Sequence, residues 1–136
     1  MRAVGVDLGS KRIGIAISDS DGLVATPYEV VKRSGDRKQD HRKINSIILE
    51  VEAEILVVGL PLSLNGDEGR AAQGARHEAE EIQKNLIIPV VMHDERFTTV
   101  EAERSLKEQD LNAVQRRKII DKVAATVLLQ AWLDGQ

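Results

Sequence analysis

From Arg2 to Leu8 and again from Ile13 to Ser18, apolar residues recur at every second position, the period of a β-strand. Gly9-Ser10-Lys11-Arg12 between them is short and turn-like, so the two strands form an antiparallel hairpin. A third strand is expected near Val24 to Val31, with Pro27 marking it as an edge. Lys32 to Lys43 is polar and basic and reads as a loop entering a helix. Ile44, Ile47, Ile48 and Val51 then follow the i, i+3, i+4, i+7 spacing of one buried helix face. Ile55 to Leu60 is a short, β-branched apolar run that suits a strand covered on both faces. Pro61 to Gly69 is loop by composition. Ala72, Ala75, Ala79, Ile82 and Leu86 mark a second amphipathic helix, and Ile87 to Met92 a second buried strand with its proline at the start. Thr98 with Glu101, and Asn112 with Gln115, have capping-box spacing, which predicts helices from near Thr99 and from Asn112 to about Leu133. Strands alternating with helices in this order predict an α/β domain whose later strands are parallel.

Composition narrows the chemistry. The 136 residues are one domain's worth of chain, 42% hydrophobic and 30% charged, which predicts a folded globular unit spanning 1–136. With no cysteine there is no disulfide, thiolate zinc site, iron–sulfur cluster or cysteine nucleophile. No apolar run approaches the roughly 20 residues needed to cross a bilayer. Asp7 interrupts any signal-peptide pattern, so a cytoplasmic protein without membrane association is expected. A net charge of −3 does not advertise a nucleic-acid binder, so such a role must rest on local basic patches and metal ions. One Phe, one Tyr and one Trp provide no base-stacking platform.

Sites in open α/β sheets form outside the carboxyl ends of the parallel strands. Asp7 lies at one such end, and Asp94 and Glu95 sit just past another. If those strands are neighbours, Asp7 and Glu95 meet. On the last helix, Asp121 shares a face with Ala124, Ala125 and Leu128, where a carboxylate is costly unless paired or bound to a cation. Converging carboxylates without His or Cys suit Mg²⁺ or Mn²⁺. Metals held that way activate water and stabilise the leaving oxygen in phosphodiester hydrolysis. Each acid also has a plainer reading: Asp7 as an acceptor for the Gly9-Ser10 turn, Asp94 as a capping residue and partner for Arg96, Glu95 as a surface glutamate, Asp121 as a partner for Arg117.

Basic residues cluster over Lys32, Arg33, Arg37, Lys38, Arg42 and Lys43, read mainly as solvated surface charge. Lys11, Arg12 and Arg96 would neighbour the acids and suit a phosphate backbone. His41 and His77 read as surface residues, and His93 as a residue with a structural hydrogen bond. Trp132 reads as core or subunit contact. Gly66 and Gly69 read as sources of mobility in the loop from Pro61, or as parts of a plain connection.

Val6-Asp7-Leu8-Gly9-Ser10-Lys11-Arg12-Ile13-Gly14, Val58-Gly59-Leu60-Pro61-Leu62 with Asn65-Gly66, His93-Asp94-Glu95-Arg96-Phe97-Thr98-Thr99, and Asp121-Lys122-Val123-Ala124-Ala125 resemble, in order, the motifs of the YqgF-type nucleases. These are also described as Holliday-junction-resolvase-like proteins and pre-16S rRNA nucleases. The resemblance spans effectively the whole chain. It implies a single ribonuclease H-like nuclease domain: a mixed five-stranded sheet with helices on both faces. It implies a cytoplasmic, metal-dependent endonuclease that matures the 5′ end of 16S rRNA, with Asp7, Glu95 and Asp121 as catalytic, metal-holding acids.

The expected function is therefore Mg²⁺- or Mn²⁺-dependent hydrolysis of phosphodiester bonds in structured nucleic acid, with Lys11, Arg12 and Arg96 binding substrate. Precursor 16S rRNA is the first expected partner and branched DNA the alternative, cut by a monomer or homodimer. Two other classes remain: a nucleotide-binding phosphotransferase, whose phosphate-gripping turn Asp7-Leu8-Gly9-Ser10 resembles, and a non-catalytic factor that binds precursor rRNA.

Overall fold

The protein, a computed structural model, is described over residues 1–96 and 113–136, the stretch 113–122 by backbone alone. The chain runs β1 (Ala3–Leu8), β2 (Arg12–Ser18), β3 (Ala25–Lys32), α1 (Arg37–Glu50), β4 (Ile55–Leu60), α2 (Arg70–Gln83), β5 (Val90–Asp94) and α3 (Ala113–Asp134). One mixed sheet has the order β3-β2-β1-β4-β5. β1 pairs antiparallel with β2 and parallel with β4, and β4 pairs parallel with β5. β4 therefore separates β1 from β5. The helix expected near Thr99 and the Asn112 cap lie outside the described residues.

Alternation along the strands splits the sheet into two faces. Val4, Val6, Ile13, Ile15, Leu56 and Val58 point one way and pack against Ile44, Ile47 and Ile48 of α1 and Ala79 and Ile82 of α2. The opposite face is built of smaller residues on β1 and β2: Ala3, Gly5 and Ala16. α3 covers it with Ala125, Leu129, Trp132 and Leu133. Trp132 is thus a core residue. The expected arrangement, helices on both faces of a mixed five-stranded sheet, is the one observed.

Three elements differ from the sequence reading. α1 starts at Arg37, so most of the basic stretch is helix; the Asp36 side chain accepts the Lys38 and Gln39 N–H groups and sets the start. Lys32 belongs to β3, which is the expected edge strand; its register against β2 shifts between Ile15 and Ala16, opposite Glu29 and Pro27. β5 begins after Pro89, not at Ile87, which is fully exposed. It lies at the end of the described sheet and is half-buried, not covered on both faces.

Gly5 is where α3 comes closest to the sheet. A Cβ there would lie 2.8 Å from Leu129 Cβ, an atom fixed to the helix backbone. Gly5→Ala should therefore destabilise the protein by about 1–3 kcal/mol, the usual cost of overpacking. Denaturant unfolding measures it, and unchanged stability would mean that α3 is free to move away.

Candidate active site

Asp7 is the penultimate residue of β1 and Glu95 follows β5 directly, so a full strand lies between them. The residue on that strand decides whether they meet. Gly59 of β4 pairs with His93 of β5, and the Glu95 N–H donates to Leu60 O over 3.1 Å, which anchors Glu95 to the end of β4. Alternation places Asp7 with Ala3 and Gly5, and Gly59 with Ile55 and Val57, on the α3 face. The Glu95 carboxyl occupies the space over Gly59. A Cβ at position 59 would lie 2.6 Å from Glu95 Cδ. Across this gap Glu95 and Asp7 share a hydrogen bond. The two residues come together although their strands are not neighbours.

Two carboxyl groups at hydrogen-bond distance cannot both ionise cheaply. Burial first, then the Asp7 charge and the hydrogen bond with Asp7, push Glu95 up to about 8. The pair thus holds a proton at neutral pH in the metal-free protein. An all-oxygen donor set in which a cation can replace that proton fits a hard divalent ion. Among the described residues no group of three or more acids, histidines or cysteines is placed to hold a metal. The described part of the site is a pair.

Asp121 is in α3, one turn before Ala125, which is buried against the sheet. Its side chain lies outside the described residues. Lys11 is exposed in the β1–β2 turn, and Arg12 is half-buried at the start of β2. Arg96 is tied down: its N–H and Nε donate to the two Asp94 oxygens at 2.9 and 2.8 Å, and its NH1 to Leu64 O at 3.4 Å. Burial works to raise Asp94, but these bonds outweigh it and hold the carboxyl below its ordinary value. Asp94 has the turn-and-partner role that its sequence position also allowed. The Leu64 contact holds Arg96 against the loop from Pro61 to Gly69, where Gly66 takes a φ of 91°.

One polar cluster was not foreseen. His41 is buried, with Nε2 2.7 Å from Glu78 Oε2, not at the surface. Arg33 donates from NH1 and NH2 to the two Glu78 oxygens at 2.9 Å each and from Nε to Gly9 O at 2.7 Å. This ties α2 to the turn that follows Asp7. Burial acts to raise Glu78, and the Arg33 and His41 hydrogen bonds outweigh it and hold the carboxyl below its ordinary value. The sequence did carry a signal, since Glu78 lies between Ala75 and Ala79 near the apolar stripe of α2.

Residues 1–135 match the family model described as "RuvX: Holliday junction resolvase". A Rhodococcus opacus protein named "Putative pre-16S rRNA nuclease" is 47% identical over 98% of this chain and 77% of its own length. A Thermoanaerobacter pseudethanolicus protein of the same name is 42% identical over 100% of this chain and 98% of its own. Among solved structures, T. thermophilus RuvC in complex with a Holliday junction substrate superposes with a TM-score of 0.55 at 17% identity, covering 98% of this chain and 96% of that one. That likeness shows the fold, which is ribonuclease H-like as expected.

The raised Glu95 fixes a pH dependence. A carboxyl with a folded value near 8 and an ordinary unfolded value binds more protons when folded. Its stabilisation is complete below about 4.5 and is lost as pH rises toward 8. In EDTA, the melting temperature should show a component that falls across that window, and Glu95→Gln should remove it. An identical pH profile for variant and parent would contradict the shared proton.

Proposed function

Because the chain belongs to the RuvX family, we propose that it is a metal-dependent endonuclease that cuts phosphodiester bonds in structured RNA, acting in 5′-end maturation of precursor 16S rRNA. The observation that carries this reading is the Asp7–Glu95 pair, two acids far apart in sequence and joined across Gly59. The relatives' name supports the substrate. None of the described helices is long and apolar enough to cross a membrane. A role on ribosomal RNA supports a cytoplasmic location.

Asp7, Glu95 and Asp121 would hold Mg²⁺ or Mn²⁺, with Glu95 as the ionised carboxylate. A divalent ion bound there supplies Lewis-acid activation of water and charge stabilisation at the reacting phosphate. The chain's own contribution is position. The β1–β4–β5 ladder fixes Asp7 and Glu95, and α3, whose Leu129 lies over Gly5, would carry Asp121 toward the same end of the sheet. Lys11 and Arg12 present cations at the turn beside Asp7, and Arg96 does so next to Glu95. Together they orient the phosphodiester for in-line displacement. Asp94 keeps Arg96 in one geometry, which lowers the cost of ordering it on substrate.

The test is cleavage of precursor 16S rRNA and of a four-way DNA junction, each with and without Mg²⁺ or Mn²⁺. Asp7→Asn, Glu95→Gln and Asp121→Asn should each slow RNA cleavage about a thousandfold, as expected when several kcal/mol of charge stabilisation is lost. Circular dichroism should show each variant folded. Undiminished cleavage by Asp7→Asn would overturn the mechanism. Junction cleavage without RNA cleavage would replace the substrate. RNA binding without cleavage in Mn²⁺ would favour an assembly factor.

A further inference from the structure

A cleft of about 470 Å³ opens between the β1–β2 turn and the connection from β3 to α1. Its charged lining is Lys11, Lys32, Arg33, Arg37 and Asp40, four cations against one carboxylate in a chain of net charge −3. The carboxylate is spent internally: Asp40 is buried and accepts the Ser34 N–H at 3.0 Å. Arg33 is spent as well, on Glu78 and the Gly9 carbonyl. Lys11 and Lys32 are exposed, and neither ammonium has a partner among the described residues. Arg37 is half-exposed and pairs with Glu81 at 3.3 Å and, at 3.9 Å, with the buried Glu78; the Glu81 contact is a surface pair that is weak and readily exchanged. A second cleft of about 810 Å³ continues from Arg37 between α1 and α2, past Lys38, Arg42 and Lys84.

We propose that this cationic track binds the phosphodiester backbone of the nucleic acid on one flank of the scissile phosphate. The inference rests on the nuclease reading and extends it to a surface outside the acidic site. The Gly9–Lys11 turn is the rim between the two: Asp7 stands on the α3 face, and the cleft opens on the α1 face. A backbone leaving the acids over this rim meets Lys11, then Lys32 and Arg37. The track offers charge without Phe, Tyr or Trp, which suits contact with phosphates and not with bases. Two clefts joined at Arg37 suit a polyanion longer than a single phosphate group. Arg33 and Glu78 act as positioning residues that hold the rim in place.

The experiment measures binding without cleavage. A labelled stem-loop RNA with a 5′ single-stranded extension is titrated with full-length protein in EDTA, at KCl from about 50 to 200 mM. The double variant Lys32→Ala/Arg37→Ala should flatten the slope of log affinity against log salt by about 1.6, since each phosphate contact contributes about 0.7–0.9. Lys32→Arg should keep the parental slope. Lys43→Ala, which removes a cation of α1 that lies outside both clefts and pairs with Glu29 of β3, should also keep it. A parental slope in the double variant overturns the proposal; if the parent still cuts RNA in Mg²⁺, the nuclease reading stands without it. A flattened slope in Lys32→Arg would show that shape and not charge matters, and overturns it too. A parent that neither binds nor cuts RNA removes both.

Discussion

The site depends on a missing side chain. β4 is the strand that separates Asp7 from Glu95, and all six of its residues are buried, so it cannot move aside. Only because position 59 is glycine can the Glu95 carboxyl lie over the strand and reach Asp7. The sheet thus holds two acids at a distance that their charges oppose, and the repulsion persists until a proton or a cation relieves it. Backbone hydrogen bonding, chiefly the ladder on both sides of β4 and the Glu95 N–H to Leu60 O, keeps them there.

Two glutamates, Glu78 buried and Glu95 half-buried, are treated in opposite ways on the two faces of the sheet. Glu78, on α2, is met by Arg33 and His41 and is held ionised. Glu95, on the other face, meets an acid and is pushed toward its neutral form. Breaking a paired buried carboxylate costs stability, whereas an unrelieved carboxyl pair signals a site that a ligand completes. The faces differ in packing for a related reason. Branched aliphatics give α1 and α2 a thick layer to rest on, while Ala3, Gly5 and Ala16 let α3 approach the sheet closely at the face that carries the acids.

Periodicity made most of this legible. The alternation in β1 and β2, the unbroken run of β4 and the isoleucines of α1 each specify an element and its buried face. Asp7 and Glu95 were recognisable because strand ends place side chains at the carboxyl edge of the sheet. Their route to each other was not, since strand order comes from tertiary pairing, and they meet although the condition that their strands be neighbours is not fulfilled. Ile87 and Ile88 looked like strand because they are apolar, but Pro89 lacks the N–H that a ladder needs and β5 starts after it. His41 looked like a surface residue because its neighbours in sequence are charged. Its burial follows from Glu78, 37 positions away, and no local pattern reports such a pairing.

The most direct test of the account is a pH titration of the Glu95 side-chain carboxyl by ¹³C NMR in metal-free protein, for the parent and for Gly59→Ala. The account predicts that the parental Glu95 is still protonated at neutral pH. It also predicts that a methyl group at position 59, by displacing the carboxyl from Asp7, returns it to the ordinary range of a glutamate. A parental Glu95 that titrates near 4.5, or one whose titration is the same in both proteins, would contradict the claim that the two acids meet through the gap at Gly59.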